Sequence, residues 1–278
     1  MINSIRDLLR GARFSMRNKI RWRRGLPVLK NEEKAELFDY LAVEEQKSAL
    51  AEEVELRQRY SLGTLYEASS LVDYRDNIYL LSALSKIETY LSFSGNKIRA
   101  LDIGSKNWNY VYSLCQYLRF AGEAEGRELD LCGVEIDAYG IYSDLYSRHD
   151  YAQAYVKQAQ VETDKIEYVV GDFLEKSYRD LDVVTLFFPF VLEEALTSWG
   201  LPKRHFEPHK LLQNALDALK ANRFMVVTNQ TGSEARQLNA YLNDLPGELI
   251  FQEPLPLKLV HYWAQTSERV LSLIKKDG

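Results

Sequence analysis

Three carboxylates in the middle of the chain each follow a short apolar run. Asp102 lies in the run 98–105, which contains Asp-x-Gly, and Glu135 and Asp172 close two later runs of the same kind. Such runs predict buried β-strands that each lead into a helix. Because open α/β sheets bind ligands at the carboxyl ends of their strands, the three acids are predicted to surround one nucleotide-type pocket.

The elements that must position these acids alternate from residue 98 onward. Apolar runs too short for core helices predict strands that are covered on both faces. Right-handed crossovers between such strands give a doubly wound α/β sheet. The predicted strands are 98–103, 129–136, 166–170, 182–188, 223–229, 248–252 and 268–275, and the predicted helices are 107–120, 139–160 with a break, 207–220 and 233–244.

The first thirty residues are strongly basic. They carry nine Arg or Lys residues and a single acid, Asp7, whereas residues 31–60 carry nine acids and four basic residues. The apolar residues of the first segment share one helical face and the arginines form an adjacent stripe, which is typical of a basic amphipathic helix. The apolar face comprises Ile5, Leu8, Leu9, Ala12, Met16 and Ile20, and the stripe comprises Arg6, Arg10, Arg13, Arg17 and Arg21.

Several interpretations of residues 1–24 stay open from the sequence. The helix could anchor the protein at a membrane surface or bind an acidic partner. It could instead pack on the body of the protein with its arginines in solvent, or belong to a transit peptide. Helical composition continues through residues 32–91, so we divide the chain into a basic segment 1–30, a helical extension or cover 31–96, and a ligand-binding domain 97–278.

Composition narrows the class of protein. A hydrophobic content of 46 % with 27 % charged residues is ordinary for a globular protein, and the net charge of −5 argues against nucleic-acid binding by the whole chain. Cys115 and Cys132 are the only cysteines, so the sequence suggests neither a disulfide framework nor a cysteine metal site, and a reducing cytoplasm fits. No apolar run approaches the roughly 18 to 20 residues of a membrane span.

The three strand ends that carry Asp102, Glu135 and Asp172 resemble motifs of the class I S-adenosylmethionine-dependent methyltransferases. The resemblance lies in the order of the motifs and in their position after successive predicted strands. The resemblance covers residues 97–278 and implies a mostly parallel, seven-stranded Rossmann-like sheet with S-adenosylmethionine as cofactor. Asp102, Gly104 and Ser105 match the beginning of the family's first motif. By that resemblance, Gly104 lets the backbone approach the methionine part of the cofactor closely, because glycine has no Cβ.

The other two junctions match later motifs of the same family. Glu135 matches the acid that accepts hydrogen bonds from the ribose hydroxyls, and Asp172 with Phe173 matches the position that recognises adenine. The chain departs from the family where Lys106 and Trp108 occupy two expected glycine positions, which leaves the loop geometry open. The same missing glycines disfavour a dinucleotide site, although Glu135 alone does not discriminate, since an acid after the second strand also binds the ribose of NAD.

The acceptor site is predicted beyond the fourth strand, where Phe188, Pro189 and Phe190 follow the last apolar residues. The family's Asn-Pro-Pro-Tyr clamp is absent, so methylation of a base or amide nitrogen loses support, and we expect a small or lipid-like acceptor. His205 and His209 are candidate bases for an acceptor hydroxyl. Their spacing resembles a metal site, but Pro208 separates them and no His-Glu-x-x-His motif exists, so no metal is predicted.

These observations favour an S-adenosylmethionine-dependent methyltransferase. Two alternatives remain: a nonenzymatic cofactor-binding or scaffold protein recruited through its basic N-terminal helix, and a dinucleotide-dependent oxidoreductase.

Overall fold

A computed structural model describes residues 2–93, 95–122, 126–256, 258–260 and 268–278. From residue 97 onward the chain forms strands with helices between most of them, as the sequence predicts. The helices of the described residues are α1 (Ile2–Ile20), α2 (Val43–Arg59), α3 (Gly63–Glu67), α4 (Leu71–Ser85), α5 (Val111–Phe120), α6 (Arg148–Ala159), α7 (Glu193–Trp199), α8 (Pro208–Ala218) and α9 (Gly232–Leu242).

The sheet has seven strands in the order β3-β2-β1-β4-β5-β7-β6. All neighbours are parallel except β7, which runs antiparallel to both β5 and β6. The predicted doubly wound sheet is therefore confirmed, and its strand order reverses between β1 and β4, which is where ligands bind in such sheets. The strands are β1 (Lys97–Ile103), β2 (Glu128–Glu135), β3 (Lys165–Val170), β4 (Leu181–Phe187), β5 (Leu219–Asn229), β6 (Gly247–Leu255) and β7 (Arg269–Lys276).

Two predicted helices begin later than expected, and α7 was not predicted. The helix expected from residue 107 begins at Val111, because Lys106 and Trp108 have positive φ angles that a helix does not admit. The helix expected from residue 139 begins at Arg148, where a capping box joins Ser147 and Asp150: each side chain accepts the backbone N–H of the other residue. The positive φ angles before α5 and the capping box of α6 therefore determine where these helices begin, and the apolar periodicity does not.

The N-terminal helices share their core with the sheet. Tyr74 and Leu81 of α4 belong to the same buried cluster as Leu114 of α5 and Leu131 of β2. The extension 31–96 is therefore packed onto the sheet domain, and the predicted boundary at residue 97 stays a prediction. Helical structure within 32–59 is shorter than expected, because α2 begins only at Val43.

Helix α1 lies on the body of the protein, but not through its predicted apolar face. Phe14 is buried in a small cluster with Leu196 and Leu201, whereas the predicted face is exposed. The arginine stripe is not wholly in solvent either, because Arg17 pairs with the buried carboxylate of Asp137 at 2.8 Å. Among the described residues, no helix is both long and apolar enough to span a membrane.

Candidate cofactor and acceptor site

A cavity of about 470 Å³ opens at the carboxyl edge of the sheet. Its volume lies in the range usual for sites that bind small ligands. The loops after β1, β2, β3 and β4 form its floor, while α4 and α7 contribute walls. The cavity therefore coincides with the point at which the strand order reverses.

The loop after β1 turns through three left-handed residues. Gly104, Lys106 and Trp108 have φ angles of +79°, +54° and +55°. Lys106 and Trp108 thus adopt the backbone conformation that glycine favours, and the loop keeps this geometry without further glycines. Gly104 lines the cavity, and a Cβ added to it would meet no atom within 4 Å, so a ligand can approach its backbone.

Trp108 explains a second glycine, Gly133, in the middle of β2. The indole is fully buried, and a Cβ on Gly133 would lie 2.7 Å from its ring. The ring also packs near Tyr168 of β3, with 6.1 Å between the ring centroids. The Trp108 side chain therefore secures the loop to the sheet, and it needs a residue without a side chain beneath it.

Asp102 supports this loop from inside the protein. Its carboxylate is fully buried and accepts hydrogen bonds from Tyr110 Oη at 2.7 Å and Thr185 Oγ1 at 2.6 Å. Burial raises the pKa of Asp102 to about 6, although these hydrogen bonds oppose the rise. Ser105 is also buried, and its hydroxyl has no partner among the described residues. Neither residue lines the cavity, although both were predicted to bind the cofactor.

Glu135 lines the cavity and joins two loops. Its two carboxylate oxygens accept the backbone N–H groups of Lys106 and Asp137, each at 2.7 Å. Burial raises the pKa of Glu135, and the nearby Arg148 charge opposes that shift. Each oxygen keeps a further acceptor position, so the carboxylate can still bind hydroxyl groups.

Asp172 and His205 form a pair on another wall of the cavity. Asp172 Oδ1 accepts the Leu174 N–H at 2.9 Å, and Asp172 Oδ2 lies 3.2 Å from His205 Nδ1. Burial alone would raise the pKa of Asp172, but the hydrogen bonds from His205 and Leu174 outweigh it and lower the pKa. Phe173, also predicted, is buried beside the pair and lines the cavity.

The two histidines predicted as bases lie in different places. The second ring nitrogen of His205 accepts a hydrogen bond from Arg204 Nε at 3.3 Å, so both of its nitrogens are engaged. His209 is exposed on α8, packs against Tyr241 and does not line the cavity. Within the part of the chain that the structure describes, no group of three His, Cys, Asp or Glu side chains is placed to hold a metal ion.

The residues predicted to hold the acceptor lie together at the end of β4. Phe188 has a φ of +61°, and its N–H donates to Thr228 O at 2.9 Å, which fixes the turn after the strand. Phe188, Pro189 and Phe190 all line the cavity, and the Phe190 ring lies 6.1 Å from the Trp199 ring of α7. This side of the cavity is therefore mainly aromatic.

Helix α4 supplies a carboxylate that the sequence analysis missed. Asp76 lines the cavity beside Tyr79, Leu80 and Ala83, and its Oδ2 accepts a hydrogen bond from Asn109 at 3.1 Å. Burial raises the pKa of Asp76. The spacing of these α4 residues places them on one helical face. An acid within this otherwise apolar face is the sequence feature that could have identified Asp76.

Lys106 brings a positive charge into the same cavity. Its side chain is accessible to solvent there, and its Nζ lies 5.4 Å from the centre of the Trp199 ring. The surrounding protein and the nearby Arg148 charge lower the pKa of Lys106, whereas Asp76 and Glu135 act in the opposite direction. The residues that line the cavity therefore include four carboxylates and two cations: Asp76, Glu135, Asp172 and Glu207, with Lys106 and Arg269.

Comparisons with protein-family profiles and with curated protein sequences find no match. Among solved structures, a Listeria monocytogenes protein described as a candidate class I S-adenosylmethionine-dependent methyltransferase is similar, with a TM-score of 0.50, 13 % identity, and coverage of 89 % of this chain and 79 % of that one. The [4+2]-cyclase SpnF is also similar, with a TM-score of 0.51, 10 % identity, and coverage of 92 % and 99 %. The chain has the fold of the class I S-adenosylmethionine-dependent methyltransferases.

Proposed function

We propose that the chain is an S-adenosylmethionine-dependent methyltransferase that acts on a small apolar or lipid-like acceptor. One observation carries the proposal: Gly104, Glu135 and Asp172 converge on a single cavity where the strand order reverses. In this fold, that is the place where a nucleoside-containing ligand is expected.

The residues of the cavity fit this cofactor. The open space before Gly104 admits close approach of the methionine part, and the remaining acceptor positions of Glu135 suit the ribose hydroxyls. Asp172 and Phe173 line the wall that would hold adenine. Because the cofactor is a sulfonium cation, the acids of the cavity also complement its charge.

When bound, the cofactor supplies an activated methyl group. The residues of the chain then have to orient the acceptor and exclude water, since in-line positioning accounts for much of the catalysis of such a transfer. Phe188, Phe190 and Leu196 provide apolar walls for this purpose. These walls support an apolar acceptor, because each would lose contact with water when such a molecule binds.

Asp76 is the better candidate for holding a proton from the acceptor. It lines the cavity, and its raised pKa makes it a stronger base than an ordinary carboxylate. His205, in contrast, is engaged through both ring nitrogens, so we propose that it positions Asp172. A positioning role predicts that His205→Gln alters cofactor affinity more than it alters the turnover rate at saturating cofactor.

A ligand panel tests the proposal. S-adenosylmethionine, S-adenosylhomocysteine, NAD and NADP would each be added in a thermal-shift experiment, since a ligand at a hundred times its dissociation constant stabilises a protein by about 2.7 kcal/mol. We expect the first two to raise the melting temperature. Stabilisation by NAD or NADP instead would favour the oxidoreductase alternative.

One observation favours the nonenzymatic alternative. Lys106 places a positive charge in the cavity where the sulfonium cation of S-adenosylmethionine would bind. Repulsion between the two charges would lower the affinity for S-adenosylmethionine relative to S-adenosylhomocysteine, whose sulfur is neutral. A cofactor-binding protein without transfer activity would bind both compounds but release no methylated product from a lipid extract. Mass spectrometry of such an extract, incubated with deuterium-labelled S-adenosylmethionine, separates the two functions.

A further inference from the structure

Helix α1 turns its polar side toward the body of the protein. Asp7 Oδ1 accepts the backbone N–H of Lys203 at 2.9 Å, and Arg17 pairs with the buried Asp137. Phe14 lies between these two contacts along the helix and is buried. Together they fix the rotation of α1, so its opposite side must face outward.

The outward side is the predicted apolar face. An amphipathic helix of a globular protein normally turns this stripe toward the core, so exposure of the whole stripe indicates an interaction surface. At 1.5 Å per residue, the 19 residues of α1 extend over about 28 Å. The large apolar side chains of this face are between 54 % and 74 % exposed: Ile5, Leu8, Leu9, Met16 and Ile20.

The charged residues around this face indicate which kind of partner it binds. Arg6, Arg13 and Lys19 on the helix, and Arg21 just after it, are exposed. Asp7 is the only acid among the first thirty residues, and it is held on the body side. The exposed surface is therefore both apolar and basic, although the chain as a whole carries a net charge of −5.

An anionic lipid bilayer offers what this surface lacks, namely an apolar interior beneath a negatively charged interface. A second copy of the chain fits less well, because two such faces would bring their arginines together. We propose that the outer face of α1 binds an anionic membrane, with the helix axis in the plane of the headgroups. The inner face of α1 contacts Leu196 and Leu201, which line the cavity, so the cavity would lie just behind the membrane contact.

Cosedimentation of the full chain with lipid vesicles tests this inference independently of any transferase activity. Vesicles of phosphatidylcholine with phosphatidylglycerol should bind the protein, pure phosphatidylcholine vesicles should bind it weakly, and added salt should reduce binding. The double variant Leu8→Gln/Met16→Gln removes the apolar contact, and Val72→Gln is the control, since Val72 is equally exposed but lies on α4.

Two charge-reversal variants, one on α1 and one elsewhere on the surface, complete the experiment. Arg6→Glu/Arg13→Glu should weaken binding to anionic vesicles at least about tenfold, since each basic residue near such a surface contributes about 1 kcal/mol. Arg179→Glu/Arg236→Glu, in the loop before β4 and on α9, is the control, since both side chains are exposed, and it should bind like the wild type. All four changed proteins should keep their melting temperatures, because the altered side chains are exposed.

Three results would overturn the membrane proposal. The first is that the folded wild type stays entirely in the supernatant, which would leave an acidic protein as the partner. The Leu8→Gln/Met16→Gln variant could bind vesicles as strongly as Val72→Gln. Light scattering without lipid could reveal a dimer that the same double variant abolishes, which would make a second copy the occupant of this face.

Discussion

Individual residues of the site divide into those that hold the loops and those that face the cavity. Asp102 and Ser105 were predicted to bind a cofactor from their place in a motif, yet both are buried away from the cavity. Glu135 serves both purposes, because its oxygens accept backbone N–H groups and also border the cavity. Sequence placed these residues correctly at the sheet edge, but it did not show which way their side chains turn.

The buried state of Asp102 predicts a pH-dependent stability. Its pKa rises from 3.8 to about 6 on folding, so between these values the native protein binds more protons than the unfolded chain, and stability falls as pH rises. Asp102→Asn should lack this loss. Relative to wild type, the variant should therefore gain about 3 kcal/mol between pH 3 and pH 7.

Urea unfolding across that pH range measures the difference between the two proteins. Other acids titrate in both proteins, so their contributions cancel in the comparison. Parallel stability profiles for wild type and Asp102→Asn would contradict this prediction, because they would mean that the pKa of Asp102 is the same in the folded and the unfolded protein.

Lys106 predicts a charge effect on ligand preference. Replacing it with Met keeps the length of the side chain but removes the cation, so affinity for S-adenosylmethionine should rise relative to S-adenosylhomocysteine. A change of about tenfold in the ratio is expected for a unit charge about 10 Å away at an effective dielectric constant near 20. Lys106→Arg retains the charge and should leave the ratio unchanged, and isothermal titration calorimetry of all three proteins decides between these outcomes.

At the scale of elements, the sheet was predictable and several helix boundaries were not. The strands are nearly continuous apolar runs because helices cover both faces, and this signal is strong. Helix α5 starts late because the loop needs left-handed residues at Lys106 and Trp108, which periodicity alone does not show. Helix α1 was predicted with the correct apolar face, but the side that contacts the body depends on single polar partners such as Asp137.

The contact between Trp108 and β2 predicts that adding a single methyl group at Gly133 lowers the stability of the protein. Gly133→Ala places a methyl group 2.7 Å from a rigid, fully buried indole and should destabilise the protein by about 1 to 3 kcal/mol. Gly63→Ala is the matched control, because a Cβ there meets no atom within 4 Å and its φ is not positive. Chemical denaturation of both variants is the test, and equal stability of the two would contradict the proposed packing.

In the whole molecule, the sheet domain could be predicted from the sequence, whereas the packing of the N-terminal helices onto it could not. Asp76, Tyr79 and Leu80 enter the cavity from α4, and their place above the sheet follows from long-range packing rather than from any local motif. Phe188 and Phe190 could be predicted to lie at this edge because they follow a predicted strand directly, and both line the cavity. The proposed site is therefore a joint product of both regions of the chain.

The central claim is that this cavity binds S-adenosylmethionine through Glu135. Isothermal titration calorimetry with S-adenosylhomocysteine on wild type and Glu135→Ala tests it most directly, with Glu128→Ala at the exposed start of β2 as a control. We predict binding to wild type and to the control, and at least a tenfold loss in Glu135→Ala, since a charge-assisted hydrogen bond contributes about 1.5 to 3 kcal/mol. Equal affinity in all three folded proteins, or no binding to wild type, would contradict the account.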